Sequence, residues 1–493
     1  MAYTEAFRQA ELKRIERMIE EGPFRADWNS LARWQAPDWY RDAKFGIFTH
    51  WGLYTVPEFD NEWYSRNMYI RGEKAFEHHV RTYGAQKDFG YKDFIPLFKA
   101  QKFNAEEWAE TFSDAGAKYY VPVAEHHDGF QMYRSALSDF NAAQMGPGRD
   151  IVGELSDAVN RKGIFSCVSS HRAEHWWFMS HGREFDSDVR EPMKRGDFYW
   201  PAMPERDLSD IRSEPAPTAE YLDDWLLRSV EMVDRFHPRM FYFDWWIQHE
   251  AFEPYLTRFA SYYYNSSLKL GFTPVIAYKH DSFMYGSALP DVERGQLADI
   301  QADPWQTDMA CALNSWCYTK GNRYRDAAGI VCDMLDIVSK NGNLLLNVGP
   351  RADGSIGPED RAILQEIGAF LRANGEAVYG TRPWRICGEG PTKIQSGFFT
   401  DGVRKEFTSA DFRFTRKGAC VYTAALRPDP NGEYCCRTFR AIHDPVFDGL
   451  HRDILRVSRP DGQPVHWDRT ENGLILKTAS AGTMPVVFRL ELA

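Results

Sequence analysis

Residues 118–129 read Lys-Tyr-Tyr-Val-Pro-Val-Ala-Glu-His-His-Asp-Gly. The first part, 118–124, is a short apolar run without helical spacing, the pattern of a strand buried on both faces. It stops at a polar cluster, Glu125, His126, His127 and Asp128, and then at Gly129. Runs of the same kind recur at 44–51 (KFGIFTHW), 163–169 (GIFSCVS), 239–245 (RMFYFDW), 274–278 (PVIAY) and 343–348 (NLLLNV). Amphipathic helical patterns fill the intervals at 106–115, 150–162, 219–236, 252–264, 327–340 and 359–374. Buried strands alternating with helices of this length make a parallel sheet. This many units favour an α/β fold of the (β/α)8-like, TIM-type barrel class over a doubly wound sheet. The Gly-x-Gly-x-x-Gly that a dinucleotide fold places at its first strand–helix turn is missing.

Outward from this core, 4–21 reads as a polar helix ended by Gly22-Pro23. After Trp384 the helical period is lost. Short alternating runs at 411–416, 419–424 and 486–490, separated by Gly, Pro and Asp turns, predict a C-terminal β-sandwich. The expected division is a catalytic barrel with its N-terminal helix over 1–384 and a sandwich over 385–493. The sandwich is expected to pack on the barrel, with sugar binding left open.

With 43% apolar and 26% charged residues, the 493-residue chain is expected to fold around a sizeable core. No apolar run approaches the roughly 18 residues that span a bilayer, so membrane insertion is excluded. The charge balance, 59 basic against 70 acidic residues, and the lack of a Lys/Arg stripe exclude general nucleic-acid binding. The eight cysteines form no Cys-x-x-Cys pair, and no secretory signal opens the chain. Free thiols and a cytoplasmic location are the expectation; a homo-oligomer is left open.

A parallel barrel does its chemistry where the strands end, because the following loops converge there. Those ends carry His50-Trp51, His126-His127-Asp128, His171, Asp244-Trp245-Trp246, Lys279-His280-Asp281 and, one loop on, Glu293. Singly, such a histidine can be a structural hydrogen bonder and such an acid the cap of the next helix. Folding alone gives no reason for them to recur at one end of strand after strand. Trp51, Trp63, Trp245 and Trp246 lie beside them. A sugar offers an apolar C–H face and a rim of hydroxyls, and so calls for aromatic faces flanked by polar groups.

Four segments, 44–52 (KFGIFTHWG), 61–69 (NEWYSRNMY), 126–130 (HHDGF) and 341–350 (NGNLLLNVGP), carry a resemblance to the α-L-fucosidases of glycoside hydrolase family 29. It extends from about Trp34 to Trp384. The resemblance implies a barrel with a C-terminal β-sandwich, in agreement with the reading above, and release of terminal α-L-fucose from fucosylated oligosaccharides. It places His50, Glu62, Trp63, His126 and His127 on the fucose hydroxyls, Asp244 as nucleophile and Glu293 as acid/base. Tyr242 stands where many members have Trp, Lys279 near a frequent Arg, and Ser315-Trp-Cys-Tyr where Ser-Trp/Phe-Gly-Tyr is usual. Tyr242, Trp246 and Lys279 complete the expected sugar contacts. The chemistry implied is double displacement with retention, needing two carboxyl groups about 5–5.5 Å apart and neither metal nor organic cofactor.

Two other classes fit parts of the sequence. His171-Arg-Ala-Glu174-His175 matches the H-x-x-E-H pattern of zinc peptidases, which needs both histidines on one helical face. A fucose-binding protein without catalysis would keep the rings and lose a carboxyl group. Within the enzyme class, a galactoside or arabinoside of the same configuration is the alternative substrate. The charged loop at 183–217 either shapes the leaving-group side or is a solvated excursion.

Overall fold

The computed structural model describes residues 3–402, 406–441, 453–479 and 482–493. Its first part is a barrel of strands β1 (Phe45–Thr49), β2 (Tyr119–Glu125), β3 (Phe165–Ser166), β4 (Val168–Ser170), β5 (Met240–Phe243), β6 (Val275–Lys279), β7 (Leu289–Asp291), β8 (Trp305–Ala310) and β9 (Gly342–Val348). Strands β3 and β4 are one stave interrupted at Cys167, since both pair with β2. The order β1-β9-β8-β7-β6-β5-β4-β2 closes through β1–β2 pairing, and every pairing is parallel.

The six sequence-read strands are all staves. The two not foreseen, β7 and β8, lack an apolar run for a physical reason. β7 contains Pro290, and its Asp291 and the Gln306 and Asp308 of β8 point into a polar sector of the barrel interior. There Lys279 Nζ lies 2.7 Å from Asp291 and 2.8 Å from Asp308, and Gln306 Nε2 donates to Asp291 at 2.7 Å.

Helices Ala105–Asp114, Ile151–Arg161, Ala219–Phe236, Glu253–Lys269, Ala327–Ser339 and Pro358–Asn374 match the helical patterns to within a few residues. Four of them start on a side-chain cap. Asn104, Asp150, Thr218 and Asp326 each accept a first-turn N–H, worth about 1 kcal/mol apiece. The helix Ala219–Phe236 stacks Trp225 on Phe243 at 5.2 Å, which steadies the strand that delivers Asp244. Beneath the ends of β2 and β4 lies a buried ion cluster. Glu125 accepts from Arg172 at 3.1 Å and Arg228 at 3.0 Å, and Asp224 pairs with the same two arginines at 3.2 and 2.7 Å.

The C-terminal part comprises β10 (Arg382–Glu389), β11 (Phe412–Lys417), β12 (Cys420–Ala425), β13 (Glu433–Cys436), β14 (Ile454–Ser458), β15 (His466–Thr470), β16 (Gly473–Lys477) and β17 (Val486–Leu492). They form antiparallel sheets of order β10-β11-β12-β17-β14 and β13-β16-β15. Phe412, Phe414, Tyr434, Leu476 and Phe488 make the core between the sheets, while Tyr422, Ala424 and Val487 alternate onto the barrel core. Arg413 pairs with Asp336 of the helix Ala327–Ser339, tying the sandwich to the barrel. All eight cysteines are free thiols, and among the described residues no helix is long and apolar enough to cross a membrane.

Candidate active site

Every imidazole of the site enters from the residue just past a strand or one further. His50 follows β1, His126 and His127 follow β2, His171 follows β4, and Asp244 follows β5. Neighbours on a strand face opposite ways. Because β2 ends at Glu125, His126 and His127 are free of that alternation and their rings meet at 4.3 Å. Glu293 stands two residues past β7.

These ends enclose a cavity of about 280 Å³ lined by His50, Glu62, Trp63, His126, His127 and Tyr242, together with Asp244 and Glu293. That is slightly below the usual 300–1,000 Å³ of ligand pockets, a volume suited to one sugar ring. Larger hollows of about 430 and 440 Å³ lie on the C-terminal sheets around Trp384 and at the opposite end of the barrel around Trp34, and neither is lined by a pair of carboxyl groups.

The hydrogen bonds fix most of these groups. His171 Nδ1 lies 2.9 Å from Asp244 Oδ2, and His127 Nε2 3.5 Å from the same oxygen. His50 binds Asn347 Oδ1 through its backbone N at 3.0 Å and its Nδ1 at 2.7 Å. Glu62 accepts from the Trp316 N–H at 3.0 Å. Tyr242 donates to Asp308 at 2.8 Å. Trp245 Nε1 donates to Glu293 Oε2 at 2.5 Å, and Lys279 Nζ lies 3.4 Å from that oxygen. His126 Nδ1 has no hydrogen-bond partner among the described residues.

The two acids are driven apart in protonation. Burial opposes the charge of Asp244, but His171, His127 and Lys279 outweigh it and hold its pKa well below the usual carboxylate range. Burial pushes Glu293 up to about 7; Lys279 works against this, and the charges of Asp308 and Asp244 add to it. Burial also lowers His50 and His126 well below the ordinary histidine value and His127 to about 3, leaving neutral rings that can donate or accept.

Two expected sugar contacts lie off the lining. Lys279 is fully buried one layer beneath, inside the Asp291–Asp308 sector, with its Nζ 3.4 Å from Glu293. Trp246, at φ +72°, turns from Trp245 into packing against Trp177, His249 and Phe252. Conversely, Asp308, Trp316 and Phe399 line the cavity beyond the residues expected from the sequence, and Glu174 lines it as the rim residue that a chance H-x-x-E-H match would supply. Glu174 belongs to the H-x-x-E-H match, and Trp316 to the altered Ser-Trp-Cys-Tyr segment. Asp308 was hidden in a strand without apolar pattern, and Phe399 comes from beyond the barrel, where no periodic signal points at the site.

The H-x-x-E-H segment does not form the helical face that a zinc peptidase needs. Residues Arg172–Glu174 make a 3-10 turn, His171 faces Asp244, and His175 Nδ1 binds the His127 carbonyl at 2.7 Å. Nitrogens of His50, His126 and His171 lie within 4.8 Å of one another, as do donor atoms of His127, His171 and Asp244, so either trio could hold a cation. Their commitments to Asn347, to Ser169 at 2.5 Å and to each other are also those of rings oriented for hydroxyl groups. The loop at 183–217 is exposed along much of its length but anchored at its middle. Tyr199 and Trp200 are buried, and Glu205 pairs at 2.5 Å with Arg66, whose guanidinium lies over Trp63.

One charged and one neutral carboxyl group at a barrel mouth, among neutral imidazoles and indoles, mark the glycoside-hydrolysing class of barrel enzymes, to which this chain is assigned. Residues 12–376 match the family model described as Alpha-L-fucosidase, and the chain belongs to that family. It is 31% identical over 476 residues to the plasma alpha-L-fucosidase of Homo sapiens, covering 92% of this chain and 88% of that one. It is 30% identical over 397 residues to the alpha-L-fucosidase of Dictyostelium discoideum, covering 76% and 77%. The crystal structure of Thermotoga maritima alpha-fucosidase in complex with fucose superposes with a TM-score of 0.71 at 27% identity, covering 95% of this chain and 100% of that one.

Proposed function

We propose that this chain removes terminal α-L-fucose from fucosylated oligosaccharides by double displacement with retention, using Asp244 as nucleophile and Glu293 as acid/base. The observation that carries this is the opposed protonation of two acids lining one sugar-sized cavity. Asp244 Oδ attacks C1 as the bond from C1 to the leaving oxygen breaks, and Glu293 gives its proton to that oxygen. The products of this step are a fucosyl ester on Asp244 and a free hydroxyl on the leaving group. Forming the ester removes the Asp244 charge that had helped to keep Glu293 protonated. Glu293 is then a carboxylate able to take a proton from water, whose oxygen attacks C1 and expels Asp244.

The neutral rings of His50, His126 and His127, with the carboxyl group of Glu62, supply donors and acceptors for the ring hydroxyls, and Trp63 supplies an apolar face. The small volume favours attack on a single terminal residue over internal cleavage. The fucose bound by the Thermotoga maritima relative supports the choice of sugar. The test is proton NMR of an aryl α-L-fucoside digest: α-L-fucose as the first-formed anomer supports the proposal, and β-L-fucose first refutes retention. Parallel rates on the galactoside and arabinoside of the same configuration test the choice of sugar.

A further inference from the structure

We infer that Phe399 and Trp245 form the platform for the leaving group, and that its ligand is the apolar face of the pyranose next to the fucose. This rests on the hydrolase reading above and adds to it the class of group accepted beside the fucose.

Phe399 belongs to the chain between β10 and β11, outside the barrel, yet it lines the cavity. It is 56% exposed, uncommon for so apolar a ring. It is also firmly held. Its N–H donates to the Glu293 carbonyl at 2.9 Å, Gly397 donates to Gln296 at 3.0 Å, and Asp401 to Arg294 at 3.1 Å. The Asp401 carboxylate is paired with both Arg294 and Arg325. A Cβ on Gly295 would stand 1.9 Å from the Gly397 carbonyl oxygen, so only glycine there lets the two segments meet. Phe399 has a φ of +55°, a left-handed conformation that costs a side-chain-bearing residue energy. Such strain collects at ligand sites.

An exposed ring, strained and anchored by its backbone to the acid/base residue, gains from a ligand that covers it. It lies nearly parallel to Trp245, at 16° and 6.2 Å, and Phe398 backs that indole at 5.4 Å. Trp245 in turn donates to Glu293. The aromatic wall therefore runs to the carboxyl group that must protonate the leaving oxygen. His280 and Asp281 stand exposed near its edge, with the His280 ring 6.3 Å from Trp245, and can pair with hydroxyls. Ring faces with polar groups at the edge suit a sugar better than a purely apolar group.

The experiment compares full-length wild type, Phe399→Ala and Phe399→Tyr on a fucosyl-galactose disaccharide and on α-L-fucosyl fluoride, whose leaving group has no face to stack. In Phe399→Ala the ratio of kcat/KM on the disaccharide to kcat/KM on the fluoride should fall about tenfold, chiefly through KM, and Phe399→Tyr should restore it. Equal losses on both substrates, or no loss on the disaccharide, would overturn the platform. Wild-type turnover of the fluoride checks the hydrolase reading separately. Its absence would overturn that reading and the platform's role with it.

Discussion

His171 Nδ1 lies 2.9 Å from Asp244 Oδ2, while its Nε2 lies 2.5 Å from Ser169 Oγ. The two residues cap neighbouring parallel staves, β4 and β5, with Asp244 N reaching the Ser170 carbonyl at 3.4 Å. An ionised carboxylate only accepts, so Nδ1 carries a proton towards Asp244, while Nε2 shares a hydrogen bond with the serine hydroxyl. The two contacts hold the ring in one orientation, and it aims the attacking carboxylate.

Removing that support is the first prediction. A hydrogen bond to a charged group is worth about 1.5–3 kcal/mol. His171→Ala should therefore lower kcat/KM on an aryl fucoside about ten- to hundredfold. With the bond gone, Asp244 should also titrate closer to the ordinary aspartate value near about 4. An acid limb should then appear in the pH profile of the variant that the wild type lacks. A variant with wild-type rate and profile would contradict the aiming role.

The pH dependence of the wild type follows from Glu293, raised to about 7. The working form is the protonated acid, so kcat/KM should be flat below that value. Above it the rate should fall tenfold per pH unit, because the proton for the leaving oxygen is no longer on the enzyme. Glu293→Gln should remove that basic limb.

Leaving-group chemistry separates Glu293 from Glu174, another acid of the cavity. Burial and the charge of Asp244 raise Glu174 well above the usual value as well. Acid assistance matters most for a poorly leaving alkoxide and little for a phenolate of low pKa. Glu293→Gln should thus cost about a hundredfold or more on a disaccharide and far less on a dinitrophenyl fucoside. Glu174→Gln should affect the two substrates alike. The reverse pattern, read from initial rates, would transfer the proton role to Glu174.

How much of this was visible in the chain depended on where the apolar residues pointed. Strand β9, with Leu344, Leu345 and Leu346 all buried, reads from sequence without ambiguity. β7 and β8 do not, because Asp291, Gln306 and Asp308 face one another across a polar interior that no apolar run advertises. Strand ends flagged His50, His126, His127 and Asp244 because the fold must bring those ends together. They could not separate Trp245 from Trp246, whose rings part only through the +72° φ of the latter. Nor could they place Lys279 beneath the cavity rather than in it. Phe399 was out of reach, since its position depends on backbone pairing with residues 293–296.

Stability should respond sharply at the buried ion cluster. Arg228 serves Glu125 at 3.0 Å and Asp224 at 2.7 Å, with all three side chains at most 4% exposed. Arg228→Met leaves the acids with Arg172 as the remaining cation of the cluster, and breaking such a buried pair costs about 3–5 kcal/mol. Urea unfolding followed by tryptophan fluorescence should show a lower midpoint with an unchanged slope. An unshifted midpoint would mean that the cluster contributes little.

The central claim is that Asp244 becomes covalently attached to the sugar. Incubation with 2-deoxy-2-fluoro-fucosyl fluoride slows the breakdown of such an ester more than its formation, and peptide mapping by mass spectrometry locates it. The account predicts loss of activity with one fluorofucosyl group per chain on the peptide containing Asp244, and none on an Asp244→Gly protein. Label on another carboxyl group, or rapid turnover of the Asp244→Gly protein on an aryl fucoside, would contradict it.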